Sequence, residues 1–64
     1  MPRLIKLTDL LGRERWYNAT QIEELQRVDQ GTEYSFTKVE FVSRDVAHVR
    51  ETPGEIKRYV RDVS

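Results

Sequence analysis

Thr52-Pro53-Gly54-Glu55-Ile56-Lys57-Arg58-Tyr59-Val60-Arg61-Asp62-Val63 carries the clearest structural instruction in the chain. Thr52 can accept hydrogen bonds from the free N–H groups of a helix start, and Pro53 suits the first helical position, where its missing N–H would have had no partner. Glu55 completes a capping box and opposes the positive end of the helix dipole. Ile56, Tyr59, Val60 and Val63 fall on one stripe, while Lys57, Arg58 and Arg61 lie off it. These local signals agree on a C-terminal helix with one apolar face. Such a face needs a sheet or another helix to cover it, so the rest of the chain is read for that cover.

Just upstream, Val46 to Arg50 reads as a strand, with Ala47 and Val49 towards the core and His48 and Arg50 opposite. Ser43-Arg44-Asp45 is the reversal before it. Thr32 to Val42 is the most β-rich stretch. There Tyr34 and Phe36 share one parity and Val39 and Phe41 the other, so strict alternation cannot put all four on one face. A β-bulge near Thr37-Lys38 is expected to shift the register. Asp29-Gln30-Gly31 is a turn.

At the other end, Leu4-Ile5-Lys6-Leu7-Thr8 and Arg13-Glu14-Arg15-Trp16-Tyr17 are two β-compatible runs around Gly12, and they predict a hairpin. Between the two halves the reading is open. Asn18 with Gln21 resembles a capping box, and Ile22, Leu25 and Val28 recur at a spacing of three. Propensity favours a helix from Ala19 to about Leu25. A single helical turn passing into a strand through Leu25 to Val28 competes with it. The expected fold is α+β: a small antiparallel β-sheet of about four strands (β-β-short helical turn-β-β) with the C-terminal α-helix packed on it.

Residues 1–64 are read as a single small domain. A chain this short buries only about 60% of the surface its unfolded form exposes. It has no cysteine to staple a thin core, which makes a protein partner or self-association the expected remedy. Eleven basic residues balance eleven acidic ones, giving a net charge of zero without basic or acidic runs; that demotes nucleic acid as a partner. No stretch approaches the roughly 20 apolar residues of a membrane span, and the first residues lack the apolar run of a signal peptide. No membrane insertion is expected, and the cytoplasm is the expected compartment.

Chemistry-bearing constellations are absent from the sequence. His48 is the sole histidine and sits without a nucleophile motif; it reads as a surface residue. Gly12, Gly31 and Gly54 are too scattered to cradle a phosphate, and no cluster of zinc or calcium ligands is present. Glu23-Glu24 reads as a solvated face. The expectation is a non-enzyme with no cofactor, no metal and no small-molecule substrate. The candidate recognition surface is Trp16-Tyr17 with its flanking Arg13 and Arg15, because Trp, Tyr and Arg are enriched at binding hot spots. Adjacent strand residues point opposite ways, so at most one aromatic joins the core; as the larger side chain, Trp16 is the expected core member.

Ile5-Lys6-Leu7-Thr8, Gly12, Asn18, Ile22 and the closing Val49-Arg50-Glu51-Thr52 with Glu55-Ile56 resemble the FlbD family of small flagellar-operon proteins, which includes SwrD. The family's Asn-Gly or Asp-Gly before the last strand is replaced here by Ser43-Arg44-Asp45, and its Pro-Asp-Thr by Gln30-Gly31-Thr32. The resemblance implies a bacterial or phage-borne non-enzymatic accessory or regulatory protein acting through protein–protein interaction. Leu7-Thr8, Gly12 and Asp45-Val46-Ala47-His48-Val49-Arg50-Glu51 are also similar to the CsrA family of RNA-binding translational regulators. That alternative implies a dimer whose RNA contact would fall to Arg50. It departs from the pattern at Asp9, where CsrA carries an RNA-facing Arg.

Overall fold

The structure, a computed structural model, describes residues 3–31 and 35–64. Its elements in order are β1 (Leu4–Thr8), β2 (Glu14–Asn18), a 3-10 turn (Ala19–Gln21), β3 (Ile22–Asp29), β4 (Ser35–Phe41), β5 (Val46–Val49) and α1 (Pro53–Val63). The α+β class is as expected, with two refinements. Among the described residues there are five strands rather than four, and they form a two-stranded sheet, β1-β2, and a three-stranded sheet, β3-β4-β5, both antiparallel. An isolated bridge between Asp9 and Val49 links the two sheets, reinforced by the Arg50 N–H donating to the Thr8 carbonyl at 2.8 Å.

β1 and β2 pair in register from Leu4 with Asn18 to Thr8 with Glu14. Strand alternation sends Ile5, Leu7 and Tyr17 inward and Lys6 and Trp16 outward. The turn is built by Asp9. Its Oδ1 accepts from the Leu11 and Arg13 amides at 2.9 Å each, and its carbonyl accepts from the Gly12 amide at 3.0 Å. Gly12 adopts φ +87°, a conformation that a Cβ would strain.

Between the sheets, the helix expected over 19–25 is replaced by the competing arrangement, one turn and then a strand. The Asn18 side chain caps only the Thr20 amide (3.0 Å), and the chain is extended again at Ile22. The spacing of three arises differently from a helix stripe. A register shift between Ile22 and Glu24 leaves Glu23 as a bulge, so Ile22 and Leu25 both reach the core although their separation is odd. Val28 then faces the other side, opposite Phe36.

The bulge expected near Thr37-Lys38 is likewise not there. β4 pairs with β3 and β5 without interruption through Thr37 and Lys38. Val39 and Phe41 therefore point to the core, and Phe36 is buried on the reverse face against His48, with ring centroids 5.0 Å apart. Tyr34, the fourth aromatic or apolar residue of that expectation, lies outside the described residues, as does the expected start of the strand at Thr32.

α1 begins as its sequence dictates. Thr52 Oγ1 accepts from the Glu55 amide and Glu55 Oε1 accepts from the Thr52 amide, both at 3.1 Å. Ile56 is fully buried, and Tyr59, Val60 and Val63 pack around it. The core, formed by Ile5, Leu7, Ala19, Val39, Val49 and Ile56, thus draws on both sheets and the helix. Among the described residues, no helix is long and apolar enough to cross a membrane.

Candidate functional site

Trp16 is 64% exposed, which corrects the expectation that it fills the core. Parity decides the exchange: Ile5 and Leu7 face inward, so their cross-strand partners on β2 are Tyr17 and Arg15, and Trp16 must face out. Tyr17 takes the inner place instead, stacked on Phe41 with centroids 5.4 Å apart and ring planes inclined by 18°. That stack ties the small sheet to the larger one.

On the outer face Trp16 has a defined setting. Lys6, directly opposite on β1, places its Nζ 5.9 Å from the indole centroid, within cation–π range. The same ammonium pairs with Glu14 at 3.1 Å. Leu4, 44% exposed, continues the apolar surface along β1. Trp16 forms a wall of two shallow grooves. One, of about 460 Å³, runs towards the helix residues Tyr59, Asp62 and Val63; the other, of about 490 Å³, runs towards Phe41, Val46 and Ala47. Tryptophan is among the residue types enriched at binding hot spots.

The arginines of the candidate surface lie apart from this face. Arg13 donates through Nε to Asp9 Oδ2 at 3.1 Å, and Arg15 Nε lies 3.7 Å from the same oxygen. Arg50 donates through Nη2 to the Leu10 carbonyl at 3.0 Å, and its guanidinium lies over Gly12. The five residues therefore divide: Arg13, Arg15 and Arg50 gather at the β1–β2 turn, Trp16 occupies the outer face, and Tyr17 belongs to the packing. The Asp9 carboxyl is held below its ordinary value, chiefly by the hydrogen bond from the Arg13 amide and against the opposing effect of desolvation. It stays ionised beside the two arginines and offsets much of their charge.

Sequence reasoning passed over Lys6, Glu14 and Leu4, whose part in the surface depends on cross-strand register. It also passed over Glu51. Both Glu51 carboxylate oxygens accept from the Thr8 amide, at 2.8 and 3.0 Å, and its carbonyl accepts from Thr37 Oγ1 at 2.6 Å. Glu51 is a clamp between β1, β4 and the helix entry. Among the described residues no group of three or more His, Cys, Asp or Glu is placed to hold a metal. No family model, curated protein or solved structure matches this chain.

Proposed function

We propose that this protein is a non-enzymatic accessory or regulatory module of the cytoplasm that acts by binding another protein, as the resemblance to the FlbD family implies. The observation that carries the reading is Trp16: a small domain with few large apolar residues leaves its one tryptophan outside the core. Burying such a side chain against a partner is worth about 2 kcal/mol or more, enough to govern affinity. The CsrA-like alternative has weaker support, because Asp9 stands where that family has an RNA-facing Arg and its carboxylate pairs with Arg13 and Arg15 close to Arg50.

The test compares wild type with Trp16→Ser. The indole is already in water, so circular dichroism should be unchanged. A partner captured from native lysate and then purified should bind the variant at least about tenfold more weakly. Equal binding of both forms overturns the assignment of this face. A gel shift with short RNA that is strong at low salt and collapses at moderate salt would instead establish the RNA reading.

A further inference from the structure

β2 is hydrogen-bonded to β1 and, among the described residues, to no other strand. Two bonds tell which of its backbone groups that leaves over. The Asp9 amide donates to the Arg13 carbonyl at 2.8 Å, and the Ala19 amide donates to the Arg3 carbonyl at 2.7 Å. Residues 9 and 13, and likewise 3 and 19, are thus directly bonded, and they extend the unbroken register that pairs Leu4 with Asn18 and Thr8 with Glu14. Bonded and non-bonded pairs alternate along an antiparallel ladder. Arg15 and Tyr17 therefore turn their N–H and C=O groups towards β1. Glu14 and Trp16 turn theirs away from it, as does the Asn18 N–H.

A free edge is a template for another strand, and exposed charges are the usual guard against it. The outer edge of β3 is guarded in this way by Glu23, Glu24, Arg27 and Asp29. The outer edge of β1 is taken up within the fold, where Thr8 meets Arg50 and Glu51. The β2 edge instead has a tryptophan at its middle and a groove beside it. That groove, of about 490 Å³, is lined by Trp16, Tyr17 and Asn18 and by Phe41, Asp45 and Val46, with no residue of β1, so it lies on the free side of β2. We propose that this edge receives an extended, basic and apolar segment of the partner protein as an added strand, bonded to the backbone of Glu14, Trp16 and Asn18. The proposal rests on the reading of Trp16 as a protein-binding residue and adds how the partner is held.

The chemistry of the segment follows from the two faces of the hairpin. In strand addition the main chain supplies affinity, and pockets for alternate side chains supply specificity. Inward side chains of the added strand would lie beside Tyr17 and enter the groove against Phe41 and Val46, the latter 49% exposed, which calls for apolar residues. Outward side chains would lie beside Trp16 and Glu14. The two grooves that Trp16 walls bring together the carboxylates of Glu14, Asp45, Glu51 and Asp62 against a single cation, Lys6, already paired with Glu14. An Arg or Lys on the outward side would complement that acidic surround and meet the indole as a cation–π partner. A second copy of this chain would bring the same acidic surround to the contact, and phosphate would be repelled by it.

The probe is a peptide of alternating arginine and valine, blocked at both ends and titrated into the isotope-labelled full chain up to about 1 mM. Amide shift changes should be largest at Glu14, Trp16 and Asn18, and hydrogen exchange of the Trp16 amide should slow. Two further peptides are N-methylated, one at every valine and the other at every arginine. One of them should bind at least about tenfold more weakly than the parent and the other about equally, because only alternate N–H groups of an added strand face β2. A peptide with glutamate for arginine should not bind. The proposal is overturned by absence of binding, by equal loss or equal retention in the two methylated peptides, or by shift changes centred away from β2. It is equally overturned if the chain alone dimerises in sedimentation equilibrium with its Trp16 amide already protected, since a second copy then fills the edge. Any of these results, with a captured partner that still needs Trp16, removes strand addition and leaves the Trp16 reading standing. A partner indifferent to Trp16→Ser overturns both.

Discussion

Arg44 is the one described non-glycine residue with positive φ, at 79°. It sits at the reversal before β5. The turn is otherwise well made: the Arg44 amide donates to the Phe41 carbonyl, the Phe41 amide donates to the Asp45 carbonyl, both at 2.9 Å, and Ser43 Oγ donates to the Asp45 carboxylate at 3.0 Å. A left-handed conformation costs an L-residue roughly 1–2 kcal/mol, whereas glycine adopts it freely and loses part of that advantage in unfolded-state entropy. Arg44→Gly should therefore stabilise the domain by about 0.5–1 kcal/mol, read as a higher urea midpoint at unchanged slope. An unchanged or lower midpoint would mean that Arg44 gains something from its position that offsets the strain. Trp16 is the complementary case at a single position. Its identity as an aromatic strand residue was legible, but its direction was not, because only the cross-strand partners Ile5 and Leu7 fix which face of β2 is inner.

α1 was legible because every signal for it is local: cap, proline, carboxylate and stripe lie within twelve consecutive residues. β3 was not, and the reason is physical. Its apolar spacing of three comes from a bulge at Glu23 combined with burial on both faces, and both depend on β4, which lies across a turn. The same absence of local information led the expected bulge to be placed on β4 rather than β3. For α1 the cap gives a pH signature. The Glu55 carboxyl is held below its ordinary value of 4.5, first by the Thr52 amide and then by the Thr52 hydroxyl, with desolvation opposing. A lowered folded-state value means that the stabilisation is complete above the unfolded value and is lost as pH falls through the folded one. Unfolding midpoints should thus be flat around neutrality and decline below about pH 4.5, the ordinary Glu value. Glu55→Gln should be less stable at pH 7 and should approach wild type in acid. Parallel wild-type and variant curves across the acid range would show that the capping box contributes nothing through its charge.

Across the molecule, two small sheets and one helix have to behave as a unit, and residues 49–51 are where they meet. Val49 bridges to Asp9, the Arg50 amide bonds to Thr8, and Glu51 accepts from the Thr8 amide while its carbonyl receives Thr37. One residue later the helix cap begins. The Glu51-Thr52 segment thus joins both sheets and the helix, and substitution there disturbs all of them together. Glu51→Ala removes the carboxylate acceptor and leaves the partly buried Thr8 amide without its partner. Hydrogen bonds to charged groups contribute about 1.5–3 kcal/mol, so the variant should lose about 2 kcal/mol. That is a large share of the margin available to a domain of this size. Hydrogen exchange of the Thr8 amide should accelerate in proportion. The loss should be global, with circular dichroism, which follows α1, and Tyr17 resonances, which follow the small sheet, still melting together at a lower midpoint. If the Tyr17 signals melted first while the helix signal stayed at its wild-type midpoint, Glu51 would be fastening the β1–β2 sheet to a remainder that is stable by itself. If neither moved, the stack of Tyr17 on Phe41 and the shared core around Ile56 would suffice to hold the two sheets together.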